Sequence, residues 1–430
     1  MIPTQLNRWV RAVRPSPAQA VRHVRQRSRL LAAAFALCLL SISACREPEL
    51  SPATEASSFG ALVYATPVEE RTSFLAASGA PAAFVRISDI LLMDDRTVVA
   101  DEGDSSLRVF GTDGTQLVSM GRKGDGPGEF QALRRVWRYM GDSILTFDAF
   151  QDRATVWSLD GTPIRTIQVK AHENGLRYYA LRGAFANGEL VWSGSRNDWA
   201  SSGVRPVQET IFITSASGSI VRAFGPFDGE LRTGRRSTFD LGEVPFTTRL
   251  LVTTRDSSIL VTNSGTMEIK VHSASGTTTD TFGAPLRAEA VTEGWREQDR
   301  RMRERYYRKG PPSPLRQERV AALATLAYPE AFPVISVLRT SEAGQVWAAQ
   351  YALPSDSVPY ASHAYPATVS RTWHVFSRAG TYLGVVRFPG GFLLLGVAEN
   401  RVAGIRRDSL EVEHPVIYSL RRLQAPGDTP

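Results

Sequence analysis

The sequence predicts an all-β fold, a ring of six small sheets (a six-bladed β-propeller) with a short helical insertion between the fourth and fifth. Three observations predict it. Strand–turn–strand units with glycine at the turn recur along the chain, an apolar strand precedes each of them, and a single stretch, about 289–327, breaks this pattern.

The first 44 residues stand apart. They hold seven arginines and no Asp, Glu or Lys, followed by a 13-residue apolar run from Leu30 to Ile42 and then Ser43-Ala44-Cys45. A basic leader, a short apolar core and small residues describe a secretory signal, and the run falls short of the roughly 18 residues of a membrane-spanning helix. Residues 45–60, rich in Pro, Ser and Glu, read as a flexible tether, and 425–430 as a disordered tail.

Removing the leader changes the charge argument. The whole chain has 50 Lys and Arg against 43 Asp and Glu, but all seven surplus bases lie in the leader. The mature chain is formally neutral, so charge gives no case for nucleic acid as a partner. Of the two cysteines only Cys45 survives cleavage, which excludes an intrachain disulfide, a thiolate metal site and a cysteine nucleophile in the body.

Within 61–424 the hairpins centre on Gly114, Gly161, Gly218, Gly276 and Gly380, spaced by 47, 57, 58 and 104 residues. Alternating apolar positions around Asp-Gly or Ser-Gly signal a hairpin, because the turn needs φ > 0 and glycine takes it without cost. The preceding strands are Thr97–Asp101, Ser143–Asp148, Glu189–Ser193, Ser258–Thr262 and Gln345–Ala349, and a sixth, Arg401–Ile405, leads into Pro415–Leu420. Each unit leaves apolar flanks that only neighbouring units bury, which is the logic of a closed ring.

The long last interval holds the insertion. Val291, Trp295, Met302 and Tyr306 make a narrow apolar seam, and Glu297/Arg301, Asp299/Arg303 and Glu304/Arg308 are acid-then-base pairs four apart that suit an exposed helix. Ser313-Pro314 reads as the cap and first turn of a second helix. Trp295, Arg300, Arg301, Arg303, Arg305 and Tyr306 are therefore the candidate partner-binding residues of the insertion.

Two resemblances add to this. Ile42-Ser43-Ala44-Cys45 resembles the bacterial lipobox, which implies cleavage before Cys45 and lipidation of that residue, hence a membrane partner. Arg46 rather than Asp after it implies outer-membrane retention in a cell with two membranes. Gly121 to Phe130, Val99-Ala-Asp101 with Phe147-Asp148, and Val109 to Gly114 together resemble the Gly-rich link, the V-x-D strand and the hairpin of NHL-repeat propellers. The chain over about 80–423 is similar to the NHL and TolB-like six-bladed families, common in exported bacterial proteins. Ser193 and Thr262 or Asn263 stand where the repeated Asp would be. Some similar families are lyases or lactonases with a channel metal.

No catalytic, cofactor-binding or metal-ligating residue emerges from spacing. In Gly121–Phe130, Pro127-Gly128 replace the Lys and Ser/Thr of a phosphate-binding P-loop and no apolar helix follows, so the segment reads as a turn between blades. His172, His272, His363, His374 and His414 form no H-x-x-x-H pair, and there is no Gly-x-Ser-x-Gly elbow. Asp101, Asp148 and Asp408, at strand ends, suit backbone-amide binding. The expectation is an exported, lipid-anchored module that binds a protein or small ligand without a cofactor. The rival readings are a channel-metal hydrolase or lyase and a scaffold subunit of an envelope complex.

Overall fold

The computed structural model describes residues 68–70, 74–75, 78–171, 175–196, 203–233, 242, 244–309, 313–354 and 370–420. The leader, Cys45, the tether, the tail, His172 and His363 lie outside the described residues.

The protein is a six-bladed β-propeller of six four-stranded antiparallel sheets. The chain begins with a three-residue strand, β1 (Val68–Glu70), and then builds the first blade from β2 (Ile87–Leu92), β3 (Arg96–Asp101), β4 (Ser106–Gly111) and β5 (Gln116–Met120). The second holds β6 (Leu133–Tyr139), β7 (Ser143–Asp148), β8 (Arg153–Trp157) and β9 (Pro163–Gln168). The third holds β10 (Leu176–Ala184), β11 (Leu190–Arg196), β12 (Val204–Thr214) and β13 (Ile220–Thr233). The fourth is β14 (Leu250–Arg255), β15 (Ser258–Asn263), β16 (Glu268–Ser273) and β17 (Thr278–Gly283). The fifth is β18 (Ile335–Thr340), β19 (Val346–Gln350), β20 (Thr372–Phe376) and β21 (Tyr382–Arg387). The sixth takes β22 (Phe392–Val397), β23 (Arg401–Arg407) and β24 (Glu413–Ser419), and its fourth strand is β1, paired through Val68↔Ser419 and Glu70↔Ile417.

The first and last parts of the propeller therefore share one sheet, which closes the ring and leaves no open blade. Packing follows the same logic. Among the described residues the core resolves into six apolar clusters, one at each junction between adjacent blades. Second strands such as Leu145 and Phe147 of β7, or Val346 and Trp347 of β19, are buried on both faces, since each blade is sandwiched between two others. Trp157, Trp192, Trp347 and Trp373 are fully buried. Each such side chain contributes about 2–3 kcal/mol through its apolar surface.

All five hairpin glycines predicted from the sequence have positive φ, from 82° at Gly114 and Gly380 to 95° at Gly161. Gly121–Phe130 carries the chain from β5 to β6, and Phe130 is buried against Trp157 at 5.7 Å. A Cβ on Gly121 would lie 2.5 Å from the Phe130 ring.

The insertion lies between β17 and β18. It comprises α1 (Glu293–Tyr307), α2 (Pro314–Ala322) and a single 3-10 turn, Leu323–Thr325. Ser313 caps α2 by accepting a hydrogen bond from Arg316 N, with Pro314 in the first turn. The seam read from the sequence is rotated. The inward face of α1 carries Asp299 and Arg303, 3 % and 5 % exposed, whereas Tyr306 is 39 % exposed. Asp299/Arg303 is thus a buried pair rather than an exposed one. It is tolerated because Asp299 bonds Arg303 Nε at 2.7 Å and the Tyr328 hydroxyl at 2.9 Å.

Candidate functional site

Two places collect functional chemistry: the ring face that carries the helices and the central bore. On the face, Phe332 roots the insertion. It is 1 % exposed and packs against Phe246 at 4.8 Å, Trp295 at 5.5 Å and Tyr351 at 5.9 Å. Burial with the Asp299 charge nearby raises the Tyr328 hydroxyl above its ordinary pKa, so it stays a proton donor to Asp299.

The six candidate residues do not act as one patch. Trp295 and Arg303 turn inward. Arg300 pairs with Glu293 and lies 5.9 Å from the Tyr328 ring, and Arg301 bonds Glu297 at 3.3 Å. Arg301, Arg305 and Tyr306 are exposed on the outer side of α1.

The same face holds the strand-end carboxylates. Asp101 accepts from the amides of Val85 (3.0 Å), Arg86 (2.9 Å) and Asp104 (3.2 Å). Asp148 accepts from Gln131, Ala132, Phe150 and Gln151 at 2.6–3.2 Å. Each ties the start of an inner strand to the turn after the second strand. Asp408 accepts from Leu410 and Val412 and contacts His414 Nε2 at 3.0 Å. All three serve backbone. In the Gly-rich link the amides of Gly124, Gly126, Glu129 and Phe130 are taken by acceptors within the loop.

The described histidines are scattered. His272 touches Gly276 O and Thr278, His374 Nδ1 lies 2.9 Å from the Tyr382 hydroxyl, and His414 pairs with Asp408. Burial pushes the His374 imidazole down to about 4. Among the described residues no group of three or more His, Cys, Asp or Glu is placed to hold a metal ion.

The bore was not legible in the sequence, because its functional groups sit on inner strands whose alternation is broken by charges. Asp89 on β2 is 2 % exposed, accepts from Val136 N at 3.2 Å, and receives Arg339 Nη1 of β18 from across the bore at 3.1 Å. Arg135 on β6 approaches Asp89 only to 3.7 Å, too far for a hydrogen bond, with its guanidinium 5.2 Å from the Trp137 ring. Its Nε is buried and has no hydrogen-bond partner among the described residues. The side chain keeps 33 % of its surface exposed. Burial brings the Arg135 pKa down to about 10, Asp89 opposing and Arg339 and Arg182 adding to the fall.

Arg182 on β10 bonds Ser193 Oγ at 3.0 Å, and Ser193 donates to Glu209 at 3.0 Å. Ser193, one of the departures from the repeated Asp, thus links a cation to a carboxylate whose pKa burial raises. Arg138 bonds Glu342 at 2.9 Å and so joins the second and fifth blades across the ring. Asp89, Arg135, Arg138, Arg339 and Glu342 line a cavity of ≈ 220 Å³.

A family model described as a 6-bladed beta-propeller, DUF5128, matches residues 82–230, which spans the first three blades. Among solved structures the chain is similar to a member of the duf4221 family from Bacteroides vulgatus (10 % identity, 83 % of this chain and 94 % of that one, TM-score 0.46). It is also similar to a Xanthomonas campestris gluconolactonase (9 % identity, 83 % and 95 % covered, TM-score 0.41). A luciferin-regenerating enzyme aligns at 10 % identity over 79 % and 94 % (TM-score 0.40). No residue role transfers at such likeness. No curated protein matches the chain.

Proposed function

We propose that the protein is an exported, lipid-anchored propeller that binds a partner protein on the ring face carrying α1 and α2. One observation carries this reading. The insertion is fixed to the fourth and fifth blades by the Phe332 cluster and the buried Asp299–Arg303–Tyr328 node, while Arg301, Arg305 and Tyr306 stay exposed. A helix held rigidly with one side open is a preorganised surface, which lowers the ordering cost of binding. The leader and Cys45 supply export and attachment to the membrane. No helix among the described residues is long and apolar enough to cross a membrane.

Affinity purification of the mature chain from detergent-solubilised envelope tests the partner surface. A partner is expected at constant stoichiometry with wild type and lost with Arg301→Glu/Arg305→Glu/Tyr306→Ala, at unchanged unfolding midpoint. Equal recovery with wild type and variant would overturn the reading.

A further inference from the structure

We infer that the bore is a binding site for one small oxyanion, a phosphate or carboxylate group, held by Arg135 and Arg339 with Arg182 raising the local potential. This site is separate from the helical face and goes beyond the reading above.

Arg135 and Arg339 both face Asp89, two cations against one carboxylate. Arg339 gives Asp89 one bond, from Nη1, and its Nε has no partner in the described residues. The Nε of Arg135 is likewise buried with no partner among the described residues, although buried polar groups are normally paired. Arg182 adds a further cation, and its own carboxylate, Glu209, lies on the far side of Ser193. Two guanidinium groups whose Nε donors are buried without acceptors are complementary to an anion with two or more oxygens, which takes parallel N–H bonds from the planar fork. Burial lowers the Arg135 pKa despite the opposing Asp89 charge.

Size narrows the ligand. A cavity of ≈ 220 Å³ lies below the range of about 300–1,000 Å³ that suits drug-sized molecules, and the Arg138–Glu342 pair crosses the bore beside it. An ion of the size of phosphate or a short dicarboxylate fits.

Isothermal titration of the mature protein with inorganic phosphate and, separately, oxalate tests this. At least one of the two saturates below about 10 mM, and which one does identifies the group recognised. Arg135→Gln weakens that binding by about tenfold or more, the loss of charge-assisted bonds, without lowering the unfolding midpoint. Asp89→Asn, which keeps an acceptor for Val136 N and removes the competing negative charge, tightens it. Should Arg135→Gln fail to fold, Asp89→Asn decides alone: tighter binding supports the site, and unchanged or weaker binding overturns it. Absence of saturation with both probes, or wild-type affinity in a folded Arg135→Gln variant, also overturns it. Arg301→Glu/Arg305→Glu leaves anion binding unchanged, so the bore site and the partner surface stand or fall separately.

Discussion

At the scale of single residues, two buried groups make the ring's stability legible. Asp148 is 2 % exposed and accepts four backbone N–H groups from two separate segments. Asp148→Ala leaves those donors without their acceptor and should cost about 3 kcal/mol or more, read as a shift in denaturation midpoint at constant slope. His374 gives the pH dependence. Its pKa is about 4 folded against an ordinary 6.5, so below 6.5 the unfolded chain takes up a proton that the folded chain refuses. Stability is complete above pH 6.5 and falls as pH drops towards 4, by on the order of 3 kcal/mol. In His374→Gln that component of the slope disappears, and urea titrations at about pH 7.5, 5.5 and 4.5 measure it.

At the scale of elements, the ring and its insertion separate. Ala290 and Ala331 form a β-bridge and Val291 N bonds Glu330 O at 2.8 Å, so the ends of the insertion already touch. Replacing residues 292–328 by a short Gly-Ser link should preserve one cooperative transition, with the midpoint lowered by about 5 °C or less. Loss of cooperativity would show that the helices belong to the core. Strand β1 behaves oppositely: a chain beginning at residue 71 should melt roughly 5 °C lower than one beginning at residue 61, because the sixth blade loses its outer strand. These elements also show what the sequence reveals. The second strands and hairpins were legible because apolar alternation and turn glycines coincide, as at Val98–Ala100 and Gly114. The inner strands were not, since Asp89, Arg135, Arg182 and Arg339 place charges where alternation demands apolar residues. Only the closed ring makes those charges meet. Strand β1, Val-Glu-Glu, carries no pattern at all. The α1 seam misled because Asp299 and Arg303 satisfy one another, which lets a charged pair occupy the inward face.

At the scale of the whole molecule, strand direction orders the parts. β24 runs away from the face that carries the helices, and β1, antiparallel to it, starts at Val68 beside Ser419 on the opposite face. The proposed function has Cys45 attach this ring to the membrane. Fractionation of cells expressing wild type and Cys45→Ser tests it most directly. Wild type should sediment with membranes and the variant should be released in soluble, folded form; a Cys45→Ser protein that still sediments with membranes would contradict the account.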